Sequence, residues 1–167
     1  MVVTRGYLDN LLACMESDEH IGMCVPTTPN ISNNQSIPYT YTDDDSMQVF
    51  ACDYNVSNPT QWEDRIRLCN PIALMRADAV QAVGEHDSYF PFGEFSDDAL
   101  SYRLRSNGWR LVLCKDTYCH HYGSITLGEG QREHNTLGSS RVLFERRYGF
   151  DAWGQEILNN ICPPFEK

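Results

Sequence analysis

Residues Phe90 to Ser124 read FPFGEFSDDALSYRLRSNGWRLVLCKDTYCHHYGS, and the fold turns on how this stretch divides. Ser96 is of the type that caps helices, and Asp97 and Asp98 fall in the first turn. Carboxylates there face unpaired backbone N–H groups and the positive end of the helix dipole. Leu100 and Leu104, four apart, share a face, and Asn107-Gly108 supplies a stop. Trp109 to Cys114 follows as an apolar run of strand length, and a short link leads to His120-His121-Tyr122-Gly123-Ser124. The stretch therefore predicts loop, helix, turn, strand and a polar strand end. An acidic pair and a histidine pair would then converge on one cleft, a catalytic kind of geometry. Each half also has a plain structural reading, as a good helix N-terminus and as satisfied strand-end histidines.

Working outward, Tyr7 to Ser17 has helical spacing, with Leu8, Leu11, Leu12 and Met15 on one face. Ile21 to Val25 reads as a buried strand closed by Pro26. Helix followed directly by strand is half of an α/β unit. Residues 27–57 are polar and aperiodic, too long for an idle connection, and read as a functional or partly disordered loop. Asp43-Asp44-Asp45 lies within it. The run follows a polar Tyr39-Thr40-Tyr41-Thr42 segment and ends no buried strand, so it reads as a solvated acidic turn in preference to a cation site. Pro59 to Glu63 suits a short helix, Arg65 to Leu68 a strand, and Ala77 onward a helix carrying Ala79, Val80 and Val83. Ser139-Ser140 caps a last helix through Arg147, stopped by Gly149. The chain from Asp151, with Pro163-Pro164, reads as peripheral.

With 167 residues, the chain has the size of one domain. Its net charge of −10, from 23 acidic and 13 basic residues, argues against general nucleic-acid binding. No run approaches the ~20 apolar residues that a membrane-spanning helix needs, and the N-terminus is no signal peptide. Cys14, Cys24, Cys52, Cys69, Cys114, Cys119 and Cys162 are scattered, with no CxxC pair. That spacing argues against zinc and disulfides and for free thiols in a reducing, cytoplasmic setting.

Phe95, Asp97, Leu100, Arg103-Leu104, Gly108-Trp109-Arg110-Leu111-Val112 and the closing His120-His121-x-Gly123-Ser124 resemble family 2 glycosyltransferases of the GT-A fold. The likeness extends through Val2-Val3, Glu16-Ser17-Asp18 and Ile21-Gly22. It continues at Gly84 to Phe90, which correspond to the turn before the family's catalytic helix. Ser96 stands where the family usually has Glu, and Ala99 where it often has Asp. The resemblance implies an α/β fold with a mixed sheet and flanking helices, a partial GT-A domain over residues 1–154, with 155–167 a peripheral tail. It starts where the family's metal-binding Asp motif has just ended. The chain thus matches the C-terminal, acceptor-side half, and the nucleotide-binding half would lie upstream.

The resemblance further implies inverting transfer of a sugar from a nucleotide-diphosphate donor to an acceptor hydroxyl, with Asp97 as general base. Phe95, Asp98, Trp109 and Tyr122 would contact the acceptor or the sugar. His121 would meet the cation, with His120 left open because neighbours on a strand point to opposite faces. Gly123 and Ser124 would approach phosphate. The cofactor would be Mn²⁺ or Mg²⁺, held mainly by the upstream motif, so this chain alone is expected to be inactive. Partners would be the nucleotide-sugar and a glycan, lipid or protein acceptor. A half-sheet with an open edge would also favour a homodimer. The alternative is a non-catalytic module that recognises an acceptor and keeps half of the fold. His20, His86 and His134 lack neighbours with which to build a site. Arg103 or Arg105 would tether nearby acids.

Overall fold

The computed structural model describes residues 1–123 and 135–154. Among these, the α/β expectation holds: four strands form a mixed sheet with helices on both faces. The elements are α1 (Tyr7–Glu16), β1 (Ile21–Thr27), α2 (Asp44–Tyr54), β2 (Trp62–Asp64), β3 (Leu74–Met75), α3 (Ala77–Val83), α4 (Ser96–Ser106), β4 (Arg110–Tyr118) and α5 (Thr136–Tyr148). The strand order is β2-β4-β1-β3. The central pair β1 and β4 is parallel, and both outer pairings are antiparallel.

The sequence of the two central strands explains the layers. Both are almost wholly buried, as strands covered on two faces must be. Side chains alternate, so Met23, Val25, Leu111 and Leu113 meet α3 and α4 through Ala79, Leu100 and Leu104. Cys24, Val112 and Cys114 point the other way and meet Leu11, Cys14 and Met15 of α1. A third apolar cluster joins Phe90, Phe95 and Ala99 to Phe144 of α5 and to Ala152.

Several sequence expectations need correction. On α1 the buried residues are Asn10, Leu11, Cys14 and Met15, while Leu8 and Leu12 are exposed. The helix is rolled toward Asn10, whose Nδ2 donates to the Asp116 carbonyl at 3.2 Å. Strand β1 runs through Pro26 to Thr27, and Thr27 Oγ1 donates to the Thr117 carbonyl at 2.7 Å. The 27–57 loop contains helix α2. Its acidic run is the N-terminus of that helix: the Asp43 side chain accepts from the Ser46 amide, the Ser46 hydroxyl answers the Asp43 amide, and Asp44 and Asp45 fill the first turn.

The expected 65–68 strand lies three residues earlier, as β2. Arg65 still donates its amide to the Leu111 carbonyl, but side chains then replace the ladder. The amides of Leu68, Cys69 and Asn70 are taken by Ser101 Oγ, Gln35 Oε1 and Asp97 Oδ2. Helix α4 is capped by Phe95 in the left-handed region (φ 66°), and Ser96 is its first residue. Helix α5 starts at Thr136, ahead of Ser139-Ser140. Arg103 and Arg105 both donate to backbone carbonyls, Arg103 to those of Val83 and Glu85 and Arg105 to that of Arg65. Both sheet edges are short, three residues in β2 and two in β3. Short edge strands offer few backbone groups for pairing with another chain. No helix among them is long and apolar enough to cross a membrane.

Candidate functional site

Open α/β sheets bind ligands beyond the carboxyl ends of their parallel strands. Here β1 ends at Thr27 and the chain enters a tight loop in which Asn30, Asn33 and Asn34 all have positive φ. Asn tolerates that region better than other side chains do. Gln35, 1 % exposed, closes the loop: its Nε2 donates to the Cys69 carbonyl and its Oε1 accepts the Cys69 amide, both at 2.8 Å. One side chain thereby serves both backbone groups of a residue 34 positions away.

Between this loop, the 67–69 segment and α4 lies a cavity of about 370 Å³, lined by Ser32, Asn33, Arg67, Leu68, Cys69, Asp98, Leu137 and Trp153. That is the size of a small-molecule site. Arg67 joins its walls. Its guanidinium donates to Asp98 Oδ1 at 3.1 Å and to Asn33 Oδ1 at 3.2 Å, and lies 5.8 Å from the centre of the Trp153 ring. Arg141 flanks the same ring at 5.5 Å. Phe95 stacks behind it, centroids 4.7 Å apart.

The two acidic residues have different partners. Asp98 is paired with Arg67. Asp97, immediately before it, accepts the Asn70 amide on Oδ2 at 3.1 Å, and its Oδ1 lies 3.9 Å from His86 Nδ1. Burial pushes both carboxyls above the usual range; the Asn70 amide and His86 oppose the shift at Asp97, as Arg67 does at Asp98. The helix dipole therefore does not dominate at Asp97. A carboxylate with a raised pKa and one oxygen short of close donors is suited to accept a proton. His86, expected to stand alone, is its neighbour, and His20 likewise pairs with Asp18 at 3.1 Å. His134 lies outside the described residues.

The remaining expected residues are spread out. Phe95 is core, 4 % exposed, so its ring backs the cavity wall through Trp153. Trp109 is displaced from the site. It follows α4, whose 11 residues carry the chain roughly 16 Å from the acidic end. There it packs on Gly22 and Ala79; a Cβ on Gly22 would come within 2.7 Å of Trp109 Cβ. Tyr122 is half-exposed, its ring 4.4 Å from that of His120.

His120 and His121 do point apart. His120 is buried among Tyr39, Tyr41, Tyr118 and Tyr122, with Nδ1 bonded to the Tyr41 hydroxyl, and burial lowers its pKa. His121 is half-buried, and its Nδ1 is enclosed without a hydrogen-bond partner. Its carbonyl accepts from Asn30 Nδ2 at 3.0 Å, which ties it to the asparagine loop. Gly123 sits against that loop with φ +86°, where a Cβ would be 3.3 Å from Asn30 Cβ. Ser124 lies outside the described residues.

For a divalent cation the fit is poor. Mn²⁺ and Mg²⁺ want several oxygen ligands. Among the described residues the one set of three candidate ligand atoms close enough to share an ion is Cys14, Cys24 and Cys114, so neither His121 nor the acidic pair belongs to such a set.

Compared with models of protein families, with curated proteins and with solved structures, the chain matches none.

Sequence reasoning missed Trp153, Arg67, Asn33 and Gln35. Trp153 was assigned to a peripheral tail, yet Asp151 binds Arg141, Ala152 is 5 % exposed and Trp153 lines the cavity. The one signal for them was composition: polar and aromatic residues too many for an idle loop or tail.

Proposed function

We propose that the chain is the acceptor-side part of an inverting, family-2-like glycosyltransferase, in which Asp97 takes the proton from the attacking acceptor hydroxyl. The observation that supports this most is the divergence of two adjacent carboxylates at one helix start. Asp98 is paired with Arg67 and shapes the cavity, while Asp97 keeps an oxygen without a close donor; burial raises the proton affinity of both, so it is the partners that differ. Environments that separate neighbouring carboxylates are how folds assign a base and a positioning group. Trp153 offers a half-exposed ring to the apolar face of a sugar, and Arg67, Asn33 and Ser32 offer polar contacts to its hydroxyls. The divalent cation and the donor nucleotide are implied by the family resemblance alone.

A second reading, an acceptor-recognition module without chemistry, is favoured by one observation: no oxygen-rich cation set exists among the described residues. A thermal-shift panel of mono- and disaccharides, nucleoside diphosphates and nucleotide-sugars, each with Mn²⁺ or Mg²⁺, separates the two. Both readings expect melting temperature to rise with a saccharide, a response lost in Trp153→Ala; an added rise with a nucleotide favours the transferase, because it shows part of the donor site on this chain. A flat panel contradicts both.

A further inference from the structure

Cys14, Cys24 and Cys114 come from three elements, α1, β1 and β4, and all three are fully buried. The register explains how they meet. Cys24 pairs with Val112 and Cys114 with Pro26, so the two cysteines are diagonal neighbours on the same face of the parallel pair. Helix α1 lies on that face and inserts Cys14 between them. Their Sγ atoms all lie within 4.8 Å of one another. This cluster is on the sheet face away from α4, and the chemistry proposed above does not use it.

We propose that Cys14, Cys24 and Cys114 form a three-thiolate site for a soft d¹⁰ cation, Zn²⁺ or Cu⁺. Metal–sulfur bonds of about 2.3 Å in a trigonal arrangement place the sulfurs about 4.0 Å apart. The observed cluster needs to contract by less than an ångström. Thiolate sulfur selects Zn²⁺ and Cu⁺ over the hard cations that oxygen ligands hold. Binding forms three metal–sulfur bonds and releases the thiol protons to solvent, leaving a complex of charge −1 with Zn²⁺ or −2 with Cu⁺. The Arg76 guanidinium offsets part of that charge, whereas Arg110 is already balanced by two carboxylates. Arg110 bridges Asp18 and Asp64, and Arg76 donates to the Met15, Asp18 and Ile21 carbonyls. Because the three sulfurs are buried, the ion enters as the chain folds and staples α1 to the central strands. The bland alternative is three small apolar side chains in a core, since buried cysteine packs well without a metal.

The full chain is unfolded in reductant and refolded anaerobically with Zn²⁺, with Cu⁺ or with Mg²⁺, then desalted against a weak chelator. The expected result is one equivalent of Zn²⁺ or Cu⁺ retained and none of Mg²⁺, with a melting temperature several degrees above the metal-free protein. The more tightly retained ion identifies the occupant. X-ray absorption at the metal edge should count three sulfur ligands, a readout that needs no variant. Cys114→Ala should lose the ion and Cys52→Ala, an exposed control, should keep it. Fewer than three sulfurs at the metal, no retained ion, or equal retention in Cys114→Ala overturns the proposal.

Discussion

The two faces of the central β1–β4 pair are built from the same kind of apolar strand but carry opposite kinds of chemistry. The α4 side is a plain aliphatic core of Met23, Val25, Leu100, Leu104, Leu111 and Leu113 that holds its polar groups at one end, where Asp97 and Asp98 begin the helix. The α1 side places reactive atoms, three cysteine sulfurs, inside the core itself. The first arrangement is local. A helix start fixes Asp97 and Asp98 within one turn of each other, so their role can be read along the chain. The second is assembled by tertiary register, with Cys14 and Cys24 ten residues apart and Cys114 another 90 away, and no spacing rule reports it. Chemistry at an element's end is legible in sequence; chemistry at the crossing of elements is not.

Substitutions can break or sharpen this contrast. The largest stability effect is expected from Gln35→Leu, at the acidic end. It leaves the buried amide and carbonyl of Cys69 without partners and should cost about 2–4 kcal/mol in chemical denaturation. A loss below about 1 kcal/mol would mean that water replaces Gln35, and that the loop does not fix the 67–69 wall.

Next comes Gly22→Ala, beneath the aliphatic face. Its Cβ would meet Trp109 Cβ at 2.7 Å and Ala79 Cβ at 3.2 Å, so overpacking should cost about 1–3 kcal/mol. The saccharide response should survive, because Trp109 packs on Gly22 at the far end of α4 from the cavity. If the response disappears while the fold remains, Trp109 has a part in the site after all.

The smallest effect is on pH dependence. Burial raises the folded-state pKa of Asp97 and of Asp98 above the unfolded value near 4. The folded state then holds those protons more tightly than the unfolded chain does. Their contribution to stability is full below pH of about 4 and is lost as pH rises through the folded pKa. Asp97→Asn removes one such group while keeping an acceptor for the Asn70 amide. Its melting temperature should fall less than that of the wild type between pH of about 4 and 7. Parallel curves for the two proteins would show that Asp97 is solvated like a surface carboxylate.

Much of the fold was legible for the same physical reason as the acidic pair. Local periodicity located α1, α4 and the central strands to within a few residues, because each buries a contiguous stripe or run, and Gly84 marked the end of α3, of which Ala79 alone is buried. Helix α2 was hidden in a polar segment: of its 11 residues only Met47 and Ala51 are buried, too few to set a period, although Asp43 and Ser46 form a capping box that the acidic run concealed. Residues 65–68 read as a strand, but the amides of 68–70 are held by side chains of Ser101, Gln35 and Asp97, which no local pattern reveals. Of the site, the base candidate was visible and its surroundings were not. Arg67, Asn33 and Trp153 reach the cavity from three distant parts of the chain, and Trp109, which local reading placed there, belongs to the opposite end of α4.

The most direct test of the central claim is acceptor-dependent release of nucleoside diphosphate, measured with the panel's best donor and saccharide for the wild type, Asp97→Asn and Asp98→Asn. If Asp97 is the base, Asp97→Asn should lower turnover by about 10²–10⁴-fold while still binding the saccharide, and Asp98→Asn should weaken saccharide binding more than turnover. Equal turnover in the wild type and Asp97→Asn would contradict it.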